Sequence, residues 1–485
     1  MDTEDKIKEI RLEKIKKLKE LDKEVYPGHS NKNVYISDVK NHFRRWSFLR
    51  KKIIVAGRIM SQRGQGGIMF LNLRDDFDHL QVVFKKDTLS DLLVAQNNLD
   101  IGDFIECEGV PFKTQRGEKS LLVKKWRMLS KSLRPLPSEW YGLKDVEERF
   151  RKRYLDILMN PEIKEIFLRK SKFWQSIRNF LLEKGFLEVE TPVLESVPGG
   201  AEAKPFITHH NALDIDVYLR ISPELWLKRL MVAGFSKVFE IGRIFRNEGM
   251  DAEHLQDYTQ MEFYWSYADY FDGMKLVEEM YKKVARDVYG KLKFKIKGFD
   301  IDLDKKWEVY DYTKIIQEMT GIDVLKDDLK ATEKRLIDLK IDYDKKGFNQ
   351  TRAIDGLWKY CRKNIAGPGF LVNVPVLMEP LAKRKSEDSG LVERFQVILA
   401  GSELGKGFSE LNDPEDQAGR FKEQARLRER GDEEAQMTDN DFVEALEYGM
   451  PPTCGFGVSE RLFAFFEDKP LRETTIFPLM RKKEE

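Results

Sequence analysis

The stretch FRNEGMDAEHLQDYTQMEFYWSYADY, Phe245–Tyr270, places an arginine and several carboxylates directly after the apolar, strand-like run KVFEIGRIF. An arginine at the end of a buried strand is costly unless an anion meets it. Arg246 next to Glu248 therefore predicts one of two arrangements: an internal ion pair, or a site for the phosphate or carboxylate of a ligand. The spacing alone is compatible with both.

The rest of the stretch adds residues suited to a nucleotide. His254 and Tyr258 fall in a polar loop that could cover a nucleotide, with the tyrosine ring stacked on the base. Glu262 and Tyr264 stand two residues apart on the next predicted strand, so their side chains face the same side. We therefore expect a polar face on this strand.

The chain from residue 149 onward predicts an α+β domain. The long helical segment IFLRKSKFWQSIRNFLLEKG precedes the strand FLEVETPVL, and mixed strands and helices follow to residue 485. Strands that do not alternate regularly with helices favour an antiparallel sheet. Neither a P-loop pattern nor GxGxxG occurs, which argues against a P-loop or Rossmann fold.

Residues 49–133 have a different character. The short β-rich runs IIVAGRIM, GIMFLNLRD, LQVVFKK, DFIECEGVPFKT and KSLLVKKWRML follow one another with Gly or charged turns between them. Such a series predicts a small barrel, and the OB-fold is a barrel of this size that binds oligonucleotides. Phe70 and Gln81, on adjacent predicted strands, are candidates to stack on and hydrogen-bond an unstacked RNA base. A lone Phe on a strand is more often a core residue, and that alternative stays open.

The remaining segments complete the predicted domain organisation. Residues 1–48 read as a basic amphipathic helix and linker, 134–148 as an interdomain linker containing two prolines, and about 325–375 as a helical insertion in the α+β domain. A solvated helix packing on its own domain also explains the basic helix.

Composition limits the class of protein. The chain has 485 residues with 41% apolar and 34% charged residues, a mix typical of globular proteins with more than one domain. With a net charge of only +1, a polyanion must be met by a local basic surface. No signal peptide and no long apolar run is found, so we expect a cytoplasmic protein without a membrane span. The three cysteines lack CxxC spacing, which argues against a zinc site.

Two later segments add candidate ligand-binding residues. GSELGKGFSELND carries Glu403 and Glu410, where carboxylates could hold Mg²⁺ between phosphates or meet a cationic substrate. PPTCGFGVSERLFAFF is a Gly-rich strand that runs into an apolar helix, and Arg461 at the start of this helix could reach a phosphate.

Together these segments resemble the class II lysyl-tRNA synthetases along almost the whole chain. GFLEVETPVL resembles motif 1 of the class, FRNEG with the later His and YTQMEFY resembles motif 2, and GFGVSERL resembles motif 3. PGGAEAKPFITHHNALDIDVYLRISPELWLKRL, GKGFSELNDPEDQAGRF and EYGMPPT resemble segments particular to the lysine enzymes. The resemblance implies an N-terminal OB-fold for the anticodon, a class II antiparallel-sheet catalytic domain, and a homodimer.

The resemblance also implies a role for each matching residue. It implies ATP contacts by Arg246, Glu248, His254, Tyr258, Glu403 and Arg461, with Arg246 and Arg461 as the catalytic residues. It implies lysine contacts by Gly200, Glu224, Arg246, Glu262, Tyr264 and Glu410. Glu403 would bind Mg²⁺, with Gln396 as a second candidate, and no zinc is expected.

The chain departs from the family pattern at several positions. Gln396 stands where the family has a second Mg²⁺-binding Glu, Lys406 and Leu255 each replace an Asn, and Tyr258 replaces a Phe. Motif 3 is one residue shorter than usual. Lys406 matters most, because a new cation near a lysine site would repel the substrate unless it points away.

Three functions follow as hypotheses. The first is ATP-dependent activation of L-lysine and its transfer to the 3′ end of lysine tRNA. The second is an aspartate or asparagine enzyme of the same class, and the third is a non-catalytic paralogue that binds RNA or nucleotides. Carboxylates at the substrate positions favour lysine, since an acidic substrate would need a cation there.

Overall fold

The structure is a computed structural model that describes residues 3–137, 145–249, 254–345, 347–432 and 434–483. The backbone falls into two compact units, Met1–Met159 and Asn160–Glu485. Of the linker expected at 134–148, residues 138–144 lie outside the described residues. Within the ranges given above, no helix combines the length and the apolar character needed to cross a bilayer.

The first unit is built on a closed five-stranded barrel. Its strands are β1 (Ile53–Gln65), β2 (Ile68–Arg74), β3 (His79–Lys85), β4 (Phe104–Lys113) and β5 (Lys119–Ser130). They close in the order β1-β2-β3-β5-β4, which confirms the OB-fold prediction. In β2 the alternate residues Met69, Leu71 and Leu73 are buried in the barrel core, because successive side chains of a strand point to opposite faces.

Short helices surround the barrel. They are α1 (Thr3–Glu20), α2 (Ile36–Asn41), α3 (Phe43–Phe48), α4 (Leu92–Asn98), α5 (Val146–Arg151) and α6 (Arg153–Met159). Ile15 and Leu18 of α1 belong to the barrel core, and Arg11 Nη1 donates to the Ser132 carbonyl at 2.8 Å. The N-terminal basic helix therefore packs on its own domain.

The second unit contains the larger sheet. Its strands are β6 (Leu187–Glu188), β7 (Leu194–Glu195), β8 (Ile207–His210), β9 (Ile215–Leu219), β10 (Lys237–Phe245), β11 (Asp257–Ser266), β12 (Lys293–Ile296), β13 (Phe299–Asp302), β14 (Glu308–Asp311), β15 (Gly369–Val372), β16 (Val374–Pro375), β17 (Leu391–Val392), β18 (Arg394–Leu399), β19 (Ser402–Ser409) and β20 (Thr453–Ser459). Eight of them form the main sheet in the order β14-β15-β18-β19-β20-β11-β10-β6. All neighbours from β15 to β10 pair antiparallel, which confirms the predicted sheet type.

The helices of this unit follow in chain order. They are α7 (Pro161–Glu183), α8 (Glu224–Val232), α9 (Tyr270–Tyr289), α10 (Tyr312–Thr320), α11 (Leu329–Asp338), α12 (Gln350–Cys361), α13 (Pro414–Glu429), α14 (Asn440–Glu447) and α15 (Arg461–Phe466), with 3₁₀ turns at Arg362–Asn364, Val376–Met378 and Leu471–Thr474. The insertion predicted at about 325–375 contains α11 and α12, and β15, within the same range, belongs to the main sheet.

One face of the main sheet is covered by α9. Phe395 and Phe456 stack with ring centroids 5.7 Å apart, and Tyr281 of α9 packs edge-on against Phe456. Gly273 lets α9 approach closely, because a Cβ there would lie 2.5 Å from Cys454 Sγ. Since side chains alternate along a strand, the residues between these aromatic positions face the other side of the sheet.

Candidate active site

A cavity of about 430 Å³ opens on the sheet face opposite α9. Fourteen residues singled out in the catalytic part of the sequence line it, although they come from segments far apart in the chain: Gly200, Glu224, Arg246, Glu248, His254, Leu255, Tyr258, Glu262, Tyr264, Gln396, Glu403, Lys406, Glu410 and Arg461. Pairing among β11, β18, β19 and β20 brings together those of them that lie on strands.

Two glycines of β20 form the floor of this cavity. Each lies between a residue of β11 and a residue of β19: Tyr264, Gly455 and Phe408 form one row, and Glu262, Gly457 and Lys406 form the next. A Cβ on Gly455 would collide with Glu410 Oε1 and lie 2.6 Å from the Tyr264 ring. Glycine is therefore required here for a slot to exist between the side chains of β11 and β19. We call these the Gly455 row and the Gly457 row.

Glu262 is held by three donors. Its Oε1 accepts from Ser222 Oγ at 2.7 Å and from Gln260 Nε2 at 2.6 Å, and its Oε2 accepts from the Tyr264 hydroxyl at 3.1 Å. Burial, with the charge of Glu224, raises the pKa of Glu262 to about 7. The side chain is thus rigidly oriented but costly to ionise without a cation.

Glu224 and Glu410 share one buried lysine. Lys228 Nζ lies 2.7 Å from Glu224 Oε1 and 2.5 Å from Glu410 Oε2. Burial alone would lower the pKa of Lys228, but the two carboxylates outweigh it and raise the pKa, so Lys228 is an ammonium. Burial also raises the pKa of Glu410 well above its usual value, and Glu410 Oε1 has no hydrogen-bond partner among the described residues.

This cluster of Glu224, Glu262 and Glu410 with Lys228, the acidic end of the cavity, holds three carboxylates against one ammonium. Such a cluster is suited to receive a second cation. Sequence reasoning missed Lys228, although its position four residues after Glu224 on a helix is the spacing of a helical ion pair.

Arg246 lies just beyond the end of β10. Its backbone N–H donates to the Gln256 carbonyl at 2.7 Å, and its guanidinium lies 5.6 Å from the centre of the Tyr258 ring. No ion pair joins it to Glu248 in the described structure, and its Nε is buried without a partner there. The internal ion pair that the sequence left open is therefore not formed, and an unpaired buried donor favours a ligand anion.

Glu403 and Gln396 differ in their surroundings. Glu403 Oε1 accepts from Trp358 Nε1 at 2.6 Å, and Arg362 Nε lies 4.0 Å from its other oxygen. Gln396 Oε1 accepts from Arg394 Nη2 at 2.5 Å. Among the described residues no cluster of three His, Cys, Asp or Glu side chains could hold a metal ion, so a metal here would take most of its ligands from a bound phosphate and water.

Comparisons with known proteins show the family of the chain. The sequence pattern of the tRNA synthetases class II (D, K and N) matches residues 145–481. The chain belongs to this family. The pattern of the OB-fold nucleic acid binding domain matches residues 53–129.

Relatives of this synthetase are similar over their full length. The lysine–tRNA ligase of Thermotoga maritima is 42% identical, over 98% of this chain and 96% of its own. That of Thermoanaerobacter sp. is 44% identical over the same shares, and that of Moorella thermoacetica is 41% identical over 100% of both chains.

The shortened motif 3 keeps its place in this synthetase. β20 pairs with β11 without a register shift from Thr453 opposite Ser266 to Ser459 opposite Gln260. The helix α15 then begins at Arg461, which lines the cavity. The missing residue therefore does not move Arg461 out of the site.

Two other departures also have structural partners. Leu255 is buried against Ala464 and Leu471, so an apolar contact takes the place of the Asn. Lys406 Nζ lies 3.0 Å from Glu379 Oε2, and Arg394 Nε lies 2.7 Å from the other oxygen of Glu379. Burial would raise the pKa of Glu379, but Lys406 and Arg394 hold it below its usual value. Sequence reasoning missed Glu379, which offsets the charge of Lys406.

On the barrel, Phe70 and Gln81 lie on the outer face of neighbouring strands. Phe70 is opposite Val83, and Asn72 is opposite Gln81, so Phe70 and Gln81 are diagonal neighbours on one surface. Both are half-buried, which does not fit the core alternative for Phe70. Gln81 Oε1 accepts from Ser120 Oγ at 2.9 Å.

Proposed function

We propose that the chain activates L-lysine with ATP to give lysyl-adenylate and pyrophosphate, and then transfers the lysyl group to the 3′ end of lysine tRNA. The observation that carries this proposal is the acidic end of the cavity, where three buried carboxylates face one ammonium beside an arginine with an unpaired Nε. A substrate with a cation at one end and a carboxylate at the other balances both the carboxylate cluster and the arginine.

Lysine would lie along the glycine floor. Its ε-ammonium would meet Glu410 and the Tyr264 hydroxyl, with Glu262 beside them. Its α-ammonium would meet Glu224, close to Gly200. A Cβ on Gly200 would lie 2.6 Å from Glu224 Cβ, so the backbone of this loop comes as near to Glu224 as a residue can. The carboxylate would then point to Arg246.

ATP would occupy the part of the cavity beyond the Gly457 row. Tyr258, Glu248, His254 and Arg461 line the cavity. The Tyr258 ring would stack on the adenine, Glu248 and His254 would contact ATP, and Arg461 would hold the γ-phosphate. A lysine carboxylate oxygen forms a bond to the α-phosphorus while the bond to the β-phosphate oxygen breaks. Pyrophosphate leaves with the electron pair. Arg246 and Arg461 act by orienting the reactants and by neutralising charge.

In the second step a terminal ribose hydroxyl of the tRNA attacks the carbonyl carbon of the adenylate. The carbon–oxygen bond to AMP breaks, AMP leaves with that electron pair, and the hydroxyl proton passes to a phosphate oxygen. Lysine remains held by its two ammonium groups throughout.

Lysyl enzymes of this class use ATP with Mg²⁺. The Glu403 carboxylate fits such an ion, since Mg²⁺ in proteins is often held by one or two carboxylates together with substrate phosphates. When bound, Mg²⁺ neutralises phosphate charge. Trp358, which donates to Glu403 at 2.6 Å, keeps this carboxylate facing the cavity.

The competing hypotheses fit the site less well. An aspartate side chain would place a fourth carboxylate among Glu224, Glu262 and Glu410, and asparagine would leave their charge uncompensated. The relatives reported above all carry the lysine name. A non-catalytic paralogue has no need for Arg246, Glu403 and Arg461 in one cavity.

The test is exchange of labelled pyrophosphate into ATP, measured with lysine, aspartate and asparagine in turn. We expect exchange with lysine alone. Exchange with aspartate or asparagine supports the second hypothesis, and no exchange with any amino acid in the presence of Mg²⁺ rejects an activating enzyme.

For the tRNA we propose residues 49–133 as the anticodon-binding domain and 149–485 as the catalytic domain. Stacking of a base on an aromatic side chain contributes about 1–3 kcal/mol in barrels that bind single-stranded nucleic acid. Phe70→Ala should therefore raise the KM for lysine tRNA about tenfold and leave pyrophosphate exchange unchanged. Phe48→Ala, at an 88% exposed phenylalanine of the same unit, is the control. An equal loss in both assays with Phe70→Ala contradicts an anticodon role.

We also propose a homodimer located in the cytoplasm. Around motif 1 and the small β7-β9-β8 sheet several large apolar side chains are exposed: Leu187, Val193, Leu194, Ile207 and Ile215. A contiguous exposed apolar surface is typical of a subunit interface. Light scattering of the purified protein measures the oligomeric state, and a monomer at micromolar concentration contradicts the proposal.

A further inference from the structure

The wall of the cavity formed by β18 and β19 carries the neutral Gln396 where the family pattern has a metal-binding carboxylate, and the cation Lys406 where it has an Asn. Gln396 and Lys406 are direct partners across these strands, and both line the cavity. Arg394, two residues before Gln396, lines it too. Among the described residues, Glu379 is the one carboxylate that forms an ion pair with both cations. The wall formed by Arg394, Gln396, Lys406 and Glu379, the basic wall, therefore has a net positive charge.

A divalent cation does not fit at Gln396. The side-chain oxygen of Gln396 accepts from the Arg394 guanidinium at 2.5 Å, so it points toward a positive charge. Gln396 is neutral, whereas Mg²⁺ sites in proteins depend on carboxylates. Lys406 lies directly across from it and would repel the ion. A metal ion held by Glu403 would therefore have no second metal ion beside it at Gln396.

Lys406 stands level with the expected position of the reacting carboxylate. It lies in the Gly457 row, one row from Tyr264, and four residues before Glu410, which directly follows β19. Rows two residues apart along a strand are separated by about 7 Å. A lysine whose ε-ammonium is at Glu410 and Tyr264 thus extends along the floor to the level of Lys406, where its carboxylate must meet the α-phosphate.

We propose that the ammonium group of Lys406 replaces a metal ion in this chain, neutralising the lysine carboxylate and the α-phosphate as they react, so that the enzyme needs metal only at Glu403. This inference rests on the proposed function. It assigns Lys406 to catalysis in place of a second Mg²⁺, and it gives Gln396 and Arg394 the role of keeping that second ion out.

A purely structural role for Lys406 is the alternative. Glu379 already has Arg394 at 2.7 Å, so it does not depend on Lys406 for a partner. Lys406 is 46% exposed while Glu379 is buried beneath it. Lys406 is also close enough to act electrostatically on Glu202 across the cavity. The Lys406 ammonium is thus held over the cavity by one contact and remains accessible to a ligand.

The first experiment counts metal ions without turnover. Mn²⁺ and AMPCPP, an ATP analogue that is not cleaved between its α- and β-phosphates, are dialysed to equilibrium against the wild-type protein and against Gln396→Glu/Lys406→Asn. We expect one more Mn²⁺ ion per bound nucleotide in the double variant than in the wild type. Equal counts at saturation overturn the proposal.

The second experiment tests whether Lys406 acts in catalysis or only neutralises the charge of Glu379. Lys406→Met should lower the rate of lysine-dependent pyrophosphate exchange about a hundredfold, the effect of losing one charge-stabilising group. Lys406→Arg should retain most of the rate. If Lys406 only serves Glu379, the double variant Glu379→Gln/Lys406→Met will recover the wild-type rate, and the proposal fails. We expect no recovery.

The control is Lys326→Met, which removes another ion-paired lysine, 2.8 Å from Asp323 and 81% exposed. It should leave exchange unchanged. Lys406→Gln replaces Lys406→Met if the latter does not fold, as judged by thermal melting. Failure of the proposed function can be told apart from failure of the Lys406 proposal. In the first case the wild type shows no lysine-dependent exchange. The Mn²⁺ counts test the Lys406 proposal without any reaction.

Discussion

The two ends of the cavity differ in the sign of their charged side chains and in how far these are removed from water. At the acidic end Glu224, Glu262 and Glu410 are at most 6% exposed, and Lys228 is fully buried. At the other end Arg246 and Arg461 are half-buried and His254 is exposed. Charges removed from water interact strongly and discriminate between ligands, whereas charges near water can meet phosphates that arrive hydrated and must leave again. With the proposed function, we expect selection of the amino acid at the buried end and handling of the nucleotide at the open end of one slot.

The largest expected effect is at the open end. Arg246→Ala should lower kcat/KM for exchange about a thousandfold with respect to both lysine and ATP, because the arginine would stabilise charge on both reactants. Arg243→Ala is the matched control, since Arg243 lies three residues before Arg246, on β10, but pairs with Asp257 and is exposed. If only the KM for lysine rises, Arg246 belongs functionally to the acidic end and the separation is wrong.

A smaller effect, confined to the amino acid, is expected at the buried end. Glu410→Gln should raise the KM for lysine about a hundredfold and leave the KM for ATP within about twofold, because it removes one charged contact to an ammonium. Glu423→Gln, on the exposed side of α13, is the control. A comparable rise in the KM for ATP would show that the two ends are not independent.

The smallest effect concerns pH. Glu262 has a pKa of about 7 in the folded protein, raised first by burial from 4.5. As the pH falls through 7 the carboxyl becomes neutral and attracts the ammonium less, so the KM for lysine should rise about tenfold between pH 8 and pH 6. In Glu262→Gln the inflection near pH 7 should disappear, and its persistence would assign the titration to another group.

The pH dependence expected for folding stability is opposite to that expected for lysine binding. The folded protein without lysine binds the Glu262 proton more tightly than the unfolded chain, so its stability falls as the pH rises from 4.5 to 7. Above pH 7 the full loss of folding stability from ionising Glu262 is present. Melting curves with and without saturating lysine at pH 8 measure it, and we expect lysine to raise Tm more in the wild type than in Glu262→Gln.

The sequence predicts those parts of the site that depend on local periodicity. The same-side placement of Glu262 and Tyr264 follows from strand alternation, and a hydrogen bond between them is present. The OB-fold follows from five closely spaced strands. The roles of individual residues came from the resemblance to lysyl enzymes, and those residues do line one cavity.

What the sequence did not predict are contacts between distant segments. Lys406 meets Glu379, 27 residues away, and Glu403 meets Trp358, 45 residues away. Such pairs depend on which strands become neighbours, and no local period encodes that. The sequence also misled for near neighbours: Arg246 and Glu248 suggested an ion pair, but both follow the end of β10 and no ion pair joins them in the described structure.

The glycine floor has a consequence for arginine, the other common amino acid with a cationic side chain. The walls of the slot, Tyr264 with Glu262 and Phe408 with Lys406, stand on strands separated only by β20, so their backbones are about 10 Å apart. Hydrogen bonding of the sheet fixes that width, and no rotamer change at the floor can alter it, since the floor has no side chains. A single ammonium on a thin methylene chain matches such a gap, while a planar guanidinium needs more room. If lysine lies in this slot as proposed, we expect the backbone itself to disfavour arginine.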